Sequence, residues 1–70
     1  MSVYRVIDVI GTSTTSWEDA ALTAVRTAKG SLRDVRVAEV VAQDLDIGEG
    51  DDVTYRVKLQ LSFKYEGGPG

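Results

Sequence analysis

The segment VTYRVKLQLSFKY, residues 53–65, alternates apolar and polar side chains without a break. Val53, Tyr55, Val57, Leu59, Leu61, Phe63 and Tyr65 fall on one face. Thr54, Arg56, Lys58, Gln60, Ser62 and Lys64 fall on the other. A period of two marks a strand with one face buried and one wet. At ~3.3 Å per residue the strand is about 43 Å long, well beyond the usual five or six residues. The rest of a 70-residue chain must supply whatever covers its apolar face.

One helix is available for that. Ser16 is a good N-cap, and Asp19 three residues on completes a capping-box pattern. Glu18 and Asp19 place carboxylates in the first turn, where the helix dipole favours them. Trp17, Ala20, Ala21, Ala24, Val25 and Ala28 recur at helical spacing, and Lys29 with Gly30 gives a stop signal. About 14 residues make a helix of roughly 21 Å, half the length of the strand. Its apolar face is mostly alanine, which permits close approach to a sheet but buries little area.

Two more strands are predicted. Val3–Ile10 is rich in β-branched residues and ends at Gly11-Thr12-Ser13, followed by the polar loop STTS. RDVRVAEVVAQD, residues 33–44, opens a strand from about Val35 to Leu45. Strict alternation puts Val35, Val37, Glu39 and Val41 on one face, and Ala38, Val40 and Ala42 on the other. Both faces are largely apolar, so one is expected to meet the helix and the other a second subunit or a shared cavity. DIGEGDD, residues 46–52, is a turn, and the tail EGGPG, residues 66–70, is expected to fray. The order is β-α-β-β, an α+β domain with an antiparallel hairpin between its last two strands. The uncovered half of the long strand requires another chain.

Composition narrows the chemistry. A domain this small rarely gains more than roughly 3–5 kcal/mol from its core alone. With no cysteine and no histidine, it has no disulfide, no thiolate or His-ligated zinc site, no Ser-His-Asp triad and no Cys-His pair. Oligomerisation and a carboxylate-bound hard cation remain. A net charge of -3 argues against a nucleic-acid partner. No apolar run reaches the ~20 residues of a membrane span. The N-terminal stretch MSVYRVIDVI lacks signal-peptide features, so a cytoplasmic location is expected.

The densest acid group is Asp44, Asp46, Glu49, Asp51 and Asp52; a second comprises Asp8, Glu18 and Asp19. Calcium and magnesium seek several oxygen ligands. DLDIGEGDD echoes the start of a calcium loop but lacks EF-hand spacing. The plainer reading is a solvated turn and a helix cap. Glu39 and Arg56 are candidates for a cross-strand or intersubunit pair; alternatively Arg56 and Lys58 offer charge to an anionic ligand. Trp17 is expected to staple the helix start or a subunit contact, and Tyr4, Tyr55 and Tyr65 to be sheet residues. No nucleophile has an adjacent base, so no enzyme is expected.

YRVIDVIGTSTTSWEDA, RVAEVVAQDLDIG and TYRVKLQLSFKYE resemble the first strand, turn and helix start, the second strand and the third strand of the dodecin family, over residues 2–66. The resemblance implies a three-stranded antiparallel sheet partly wrapping one helix, with twelve copies forming a hollow sphere whose interior the sheets line. It also implies flavin binding and storage, with a second-strand tryptophan stacking on the ring and a third-strand glutamine bonding its edge. Those positions hold Val37 and Arg56 here. Valine has no aromatic face, and Arg56 only donates. The ligand-pocket equivalents Val37, Glu39 and Arg56 therefore imply a lost or weakened flavin site, with a divalent cation, Ca2+ or Mg2+, ahead of flavin. Flavin storage and a purely structural homo-oligomer are the alternatives.

Overall fold

The computed structural model describes residues 1–65; the tail 66–70, expected to fray, lies outside the described residues. Four elements follow in the expected order: β1 (Tyr4–Ser13), α1 (Trp17–Ser31), β2 (Val35–Ile47) and β3 (Val53–Lys64). All pairing is antiparallel, in the order β1-β3-β2. The alternating strand is thus the central one. Its odd-numbered side chains Val57, Leu59 and Leu61 are buried with Ala20, and Ile7, Val9, Trp17, Ala24 and Ala28 pack around them. No polar or charged side chain is buried among the described residues.

The GTS segment is not a turn, as its residues suggested, but the last part of β1. Gly11, Thr12 and Ser13 pair with Val57, Arg56 and Tyr55. The glycine serves packing: a Cβ there would lie 2.1 Å from the Ala20 carbonyl oxygen and 2.9 Å from the Ala24 Cβ. The backbone of β1 and the alanine face of α1 therefore touch directly. Gly30, expected just beyond the helix, lies inside it. The helix closes instead where the Leu32 N–H donates to the Ala28 carbonyl at 2.8 Å.

At the helix start, Ser16 Oγ accepts from the Asp19 N–H at 3.0 Å, which is half of the expected capping box. The reciprocal half is replaced. The Asp19 carboxylate accepts from Ser13 Oγ at 2.7 Å, and that same oxygen accepts from the Thr15 N–H at 2.9 Å. Ser13 sits at the end of β1, so this network ties strand to helix.

β2 departs furthest from expectation. It runs two residues further, to Ile47, and α1 packs chiefly on β1 and β3 rather than on it. Apart from half-buried Val35, all of it is exposed. Two bulges break its alternation, between Val35 and Val37 and between Val40 and Ala42. Val35 pairs with Phe63 and Val37 with Ser62, so these two valines lie on opposite faces rather than together; Val40 and Ala42 are separated likewise. A bulge shifts every later side chain to the other face, which a strict period of two does not anticipate. The hairpin closes through Gly50, which has the left-handed φ of 66° that its turn requires.

The fold is elongated, 55 × 20 × 15 Å. Its 5296 Å² of accessible surface exceeds the roughly 4,300 Å² expected of a compact monomer of this mass by about 1,000 Å². A 15-residue helix, about 22 Å long, leaves much of a sheet with a strand of about 40 Å uncovered. The close approach at Gly11 gives a sharp expectation. Gly11→Ala forces backbone apart and should cost about 1–3 kcal/mol, measured as a lowered midpoint in urea unfolding.

Candidate functional site: the helix-free face of the sheet

Register fixes what the sheet presents away from α1. The even-numbered residues of β3 lie there, and Arg56, Lys58, Gln60 and Ser62 are each flanked by one residue of β1 and one of β2. Val6, Ser62 and Val37 form one row, and Asp8, Gln60 and Glu39 the next. Ile10, Lys58 and Ala42 follow, then Thr12, Arg56 and Asp44. The face is mixed, with exposed aliphatic side chains at Val6, Ile10 and Val37 beside charged ones.

Arg56 is not paired with Glu39. Glu39 stands opposite Gln60, two rows along. The partner of Arg56 is Asp44, directly across the hairpin: Arg56 Nε donates to Asp44 Oδ1 at 2.7 Å and Nη2 to Oδ2 at 3.3 Å. Two donors of one guanidinium meet two oxygens of one carboxylate, the directional form of this pair. The hydrogen bond and charge of Asp44, with a smaller contribution from Asp46, push the guanidinium further above its already high range. Arg56 stays cationic at any physiological pH, and its fork is already occupied.

Asp44 has a second role that the residue pattern did not reveal. Its backbone carbonyl accepts from Trp17 Nε1 at 3.2 Å. The Trp17 ring meets Tyr55 edge-on, with centroids 5.1 Å apart and planes at 80°. Trp17 therefore staples the helix start to the hairpin. A shallow pocket of about 340 Å³ opens beside it, lined by Thr15, Ser16, Trp17, Glu18, Gln43 and Tyr55. The signal in the sequence was the spacing of Asp44 and Arg56 about the glycine turn, which places them opposite each other in a regular hairpin.

The acids suggested as cation ligands do not converge within one chain: among the described residues, no three acidic side chains form a metal-binding group. Asp44 is held by Arg56, and Asp19 by Ser13. Asp8 lies on the helix-free face opposite Gln60, Asp46 opposite Thr54, Glu18 at the helix start, and Asp51 and Asp52 at the hairpin turn. Val37, at the position of the expected stacking residue, is 56% exposed.

Comparison with known proteins places this geometry. The family model described as Dodecin matches residues 3–66. A curated relative, the calcium dodecin of Mycobacterium tuberculosis, is 56% identical over 64 residues, spanning 91% of this chain and 90% of its own. The crystal structure of calcium dodecin from Mycobacterium tuberculosis, described as a calcium-chelating immunodominant antigen with a novel calcium-binding site, superposes with a TM-score of 0.86 at 51% identity, covering 99% of each chain. The dodecin of Streptomyces coelicolor superposes with a TM-score of 0.88 at 33% identity, covering 96% of each.

The junction at the helix start can be tested directly. Trp17→Phe keeps an aromatic edge but removes the indole donor, so it should lower stability by about 1 kcal/mol. Trp17→Ala should lose the aromatic contact as well and cost more. Asp44→Ala leaves the backbone acceptor in place and removes only an exposed ion pair, so its urea midpoint should stay near that of the parent chain.

Proposed function

The chain belongs to the dodecin family, and on that premise we propose that it is a non-enzymatic binding and storage protein, assembled from copies of itself into a hollow dodecamer, that holds calcium rather than flavin. The observation that carries this reading is the 56% identity, over nine-tenths of both chains, to a protein named for calcium. The reducing cytoplasm is the compartment that a cysteine-free chain suits.

The donor set fits a hard cation in kind. With no histidine or cysteine, the side-chain anions are all carboxylates, which calcium prefers. It does not suffice in number within one chain, as no three acids meet among the described residues. The proposed site is therefore completed between copies, where symmetry repeats each carboxylate about an axis. Asp8, Glu18, Asp46, Asp51 and Asp52 form no ion pair among the described residues, so they are the leading ligands. Asp19 and Asp44 keep lone pairs beyond their present bonds and complete the set.

A flavin fits poorly. Val37 offers no ring to stack on, and Arg56 is a pure donor whose fork is held by Asp44. The same pair weakens the expectation that Arg56 serves an anionic ligand.

Calorimetry on chelator-stripped protein tests the reading. Calcium should release or absorb heat and raise the melting temperature; at 100 times Kd the stabilisation is about 2.7 kcal/mol. Glu18→Gln or the triple change Asp46→Asn, Asp51→Asn, Asp52→Asn should abolish the response, according to which group binds. No heat and no melting shift with either calcium or magnesium would leave a purely structural oligomer. In a parallel titration FMN fluorescence should remain unquenched, and protein that purifies yellow would restore the flavin reading.

A further inference from the structure

The charges of this chain are separated along its length. Residues 12–19 and 43–56, which supply the helix start and the hairpin, carry seven acids and one base, Arg56. The other seven bases lie outside them. Arg56 is itself held by Asp44, on the face away from α1. The helix side of this end is therefore a region of net negative charge, which concentrates small cations near it.

The pocket of about 340 Å³ beside Trp17 opens in that region. Its lining holds two aromatic rings, Trp17 and Tyr55, one carboxylate, Glu18, and no lysine or arginine. The rings stand at 80° to each other, so they form a corner rather than a stack. In an edge-to-face pair only one ring gives a face to the other, and aromatic faces remain for a third group. The indole N–H is already engaged by the Asp44 carbonyl, so Trp17 offers the pocket its π surface. Such faces attract cations, most strongly where the cation sheds its water. Calcium, which takes six to eight oxygen ligands, meets a single carboxylate here. An alkylated ammonium suits the corner better, because its charge is carried behind methyl groups that pack on rings.

We propose that this corner binds a small methylated ammonium cation, with its methyl groups against Trp17 and Tyr55 and its charge beside Glu18. Every lining residue comes from one chain, so the site depends neither on assembly nor on calcium. Gln43 and Thr15 complete the rim with neutral polar groups. Methylated ammonium groups occur free, or joined to a phosphate in a lipid headgroup. The surrounding acids repel a phosphate, so the occupant is the free monocation.

Choline titrated into chelator-stripped protein tests this. The readouts are the fluorescence of Trp17, the sole tryptophan, and the proton resonance of the choline methyl groups. Choline should bind saturably, and its methyl resonance should move upfield, as protons above ring faces do. Its neutral isostere dimethylbutanol should bind at least about fivefold more weakly, the share that a cation–π contact supplies. Phosphocholine should also bind more weakly, and sodium chloride at equal ionic strength should leave the fluorescence unchanged. Gln43→Lys, at an exposed position, sets a competing cation at the mouth and should abolish the response while circular dichroism stays that of the parent chain. An equal response to sodium chloride, or a folded Gln43→Lys variant that binds choline as the parent does, would overturn the site. Equal binding of dimethylbutanol would overturn recognition of charge, and equal binding of phosphocholine the free monocation. Should Gln43→Lys fail to fold, Glu18→Gln at the exposed helix start takes its place: choline affinity should fall by about threefold, and unchanged affinity would overturn the proposal.

Discussion

The contact on which the rest of the structure depends is the backbone approach of β1 to α1 at Gly11. Alanines at positions 20 and 24 bring the helix down onto that glycine, and the buried side chains of β3 fill the remaining space. Small residues on both surfaces keep the layers close, but they limit the apolar area each residue removes from water. The core is consequently short: three β3 residues and one alanine are fully enclosed. A helix of about 22 Å on a strand of about 40 Å fixes where burial stops. What lies past that limit on the helix side is the hairpin end.

A second junction decides which way that hairpin points. Trp17 reaches across from the helix start to the Asp44 carbonyl and the Tyr55 ring, while the Asp44 side chain holds Arg56. One residue thus joins helix, β2 and β3. Exposed ion pairs contribute little to stability, so the value of this one lies in geometry. It pins the register of the hairpin at the row where it leaves the shelter of the helix. On the face away from α1 it also occupies the guanidinium that an anionic ligand would otherwise meet.

Much of this was legible in the residues. Unbroken alternation in 53–65 located the central strand and its buried face, and the spacing of Trp17, Ala20, Ala24 and Ala28 located the helix face. The resemblance carried by the GTS segment and the last strand pointed to the family that the comparisons identify. The errors have physical causes. Gly11 looked like a turn because glycine serves turns and close contacts equally well; only the helix above it distinguishes the two. The faces of β2 were misassigned because bulges at Arg36 and Val41 leave no mark on an apolar run. Glu39 was offered to Arg56 because both were placed on one face, and a shared face does not fix register; counting outward from the turn reaches Asp44. The acids were judged by density along the chain, and density does not report convergence in space.

The cation reading and the assembly reading depend on each other physically. Each copy brings a net charge of -3, so closing copies into the proposed shell would accumulate repulsion among carboxylates that stand apart in the single chain. Like charges brought together disfavour their ionised forms, unless a cation shares them. On the proposed reading, a hard dication at a convergent set would relieve that repulsion and would bind only where copies meet. Ligand that binds the assembled state alone stabilises it by mass action, and by linkage the assembly raises affinity for the ligand by the same factor. If the proposed site is completed between copies, calcium affinity and particle integrity should therefore rise and fall together, with the shared carboxylates as the coupling element.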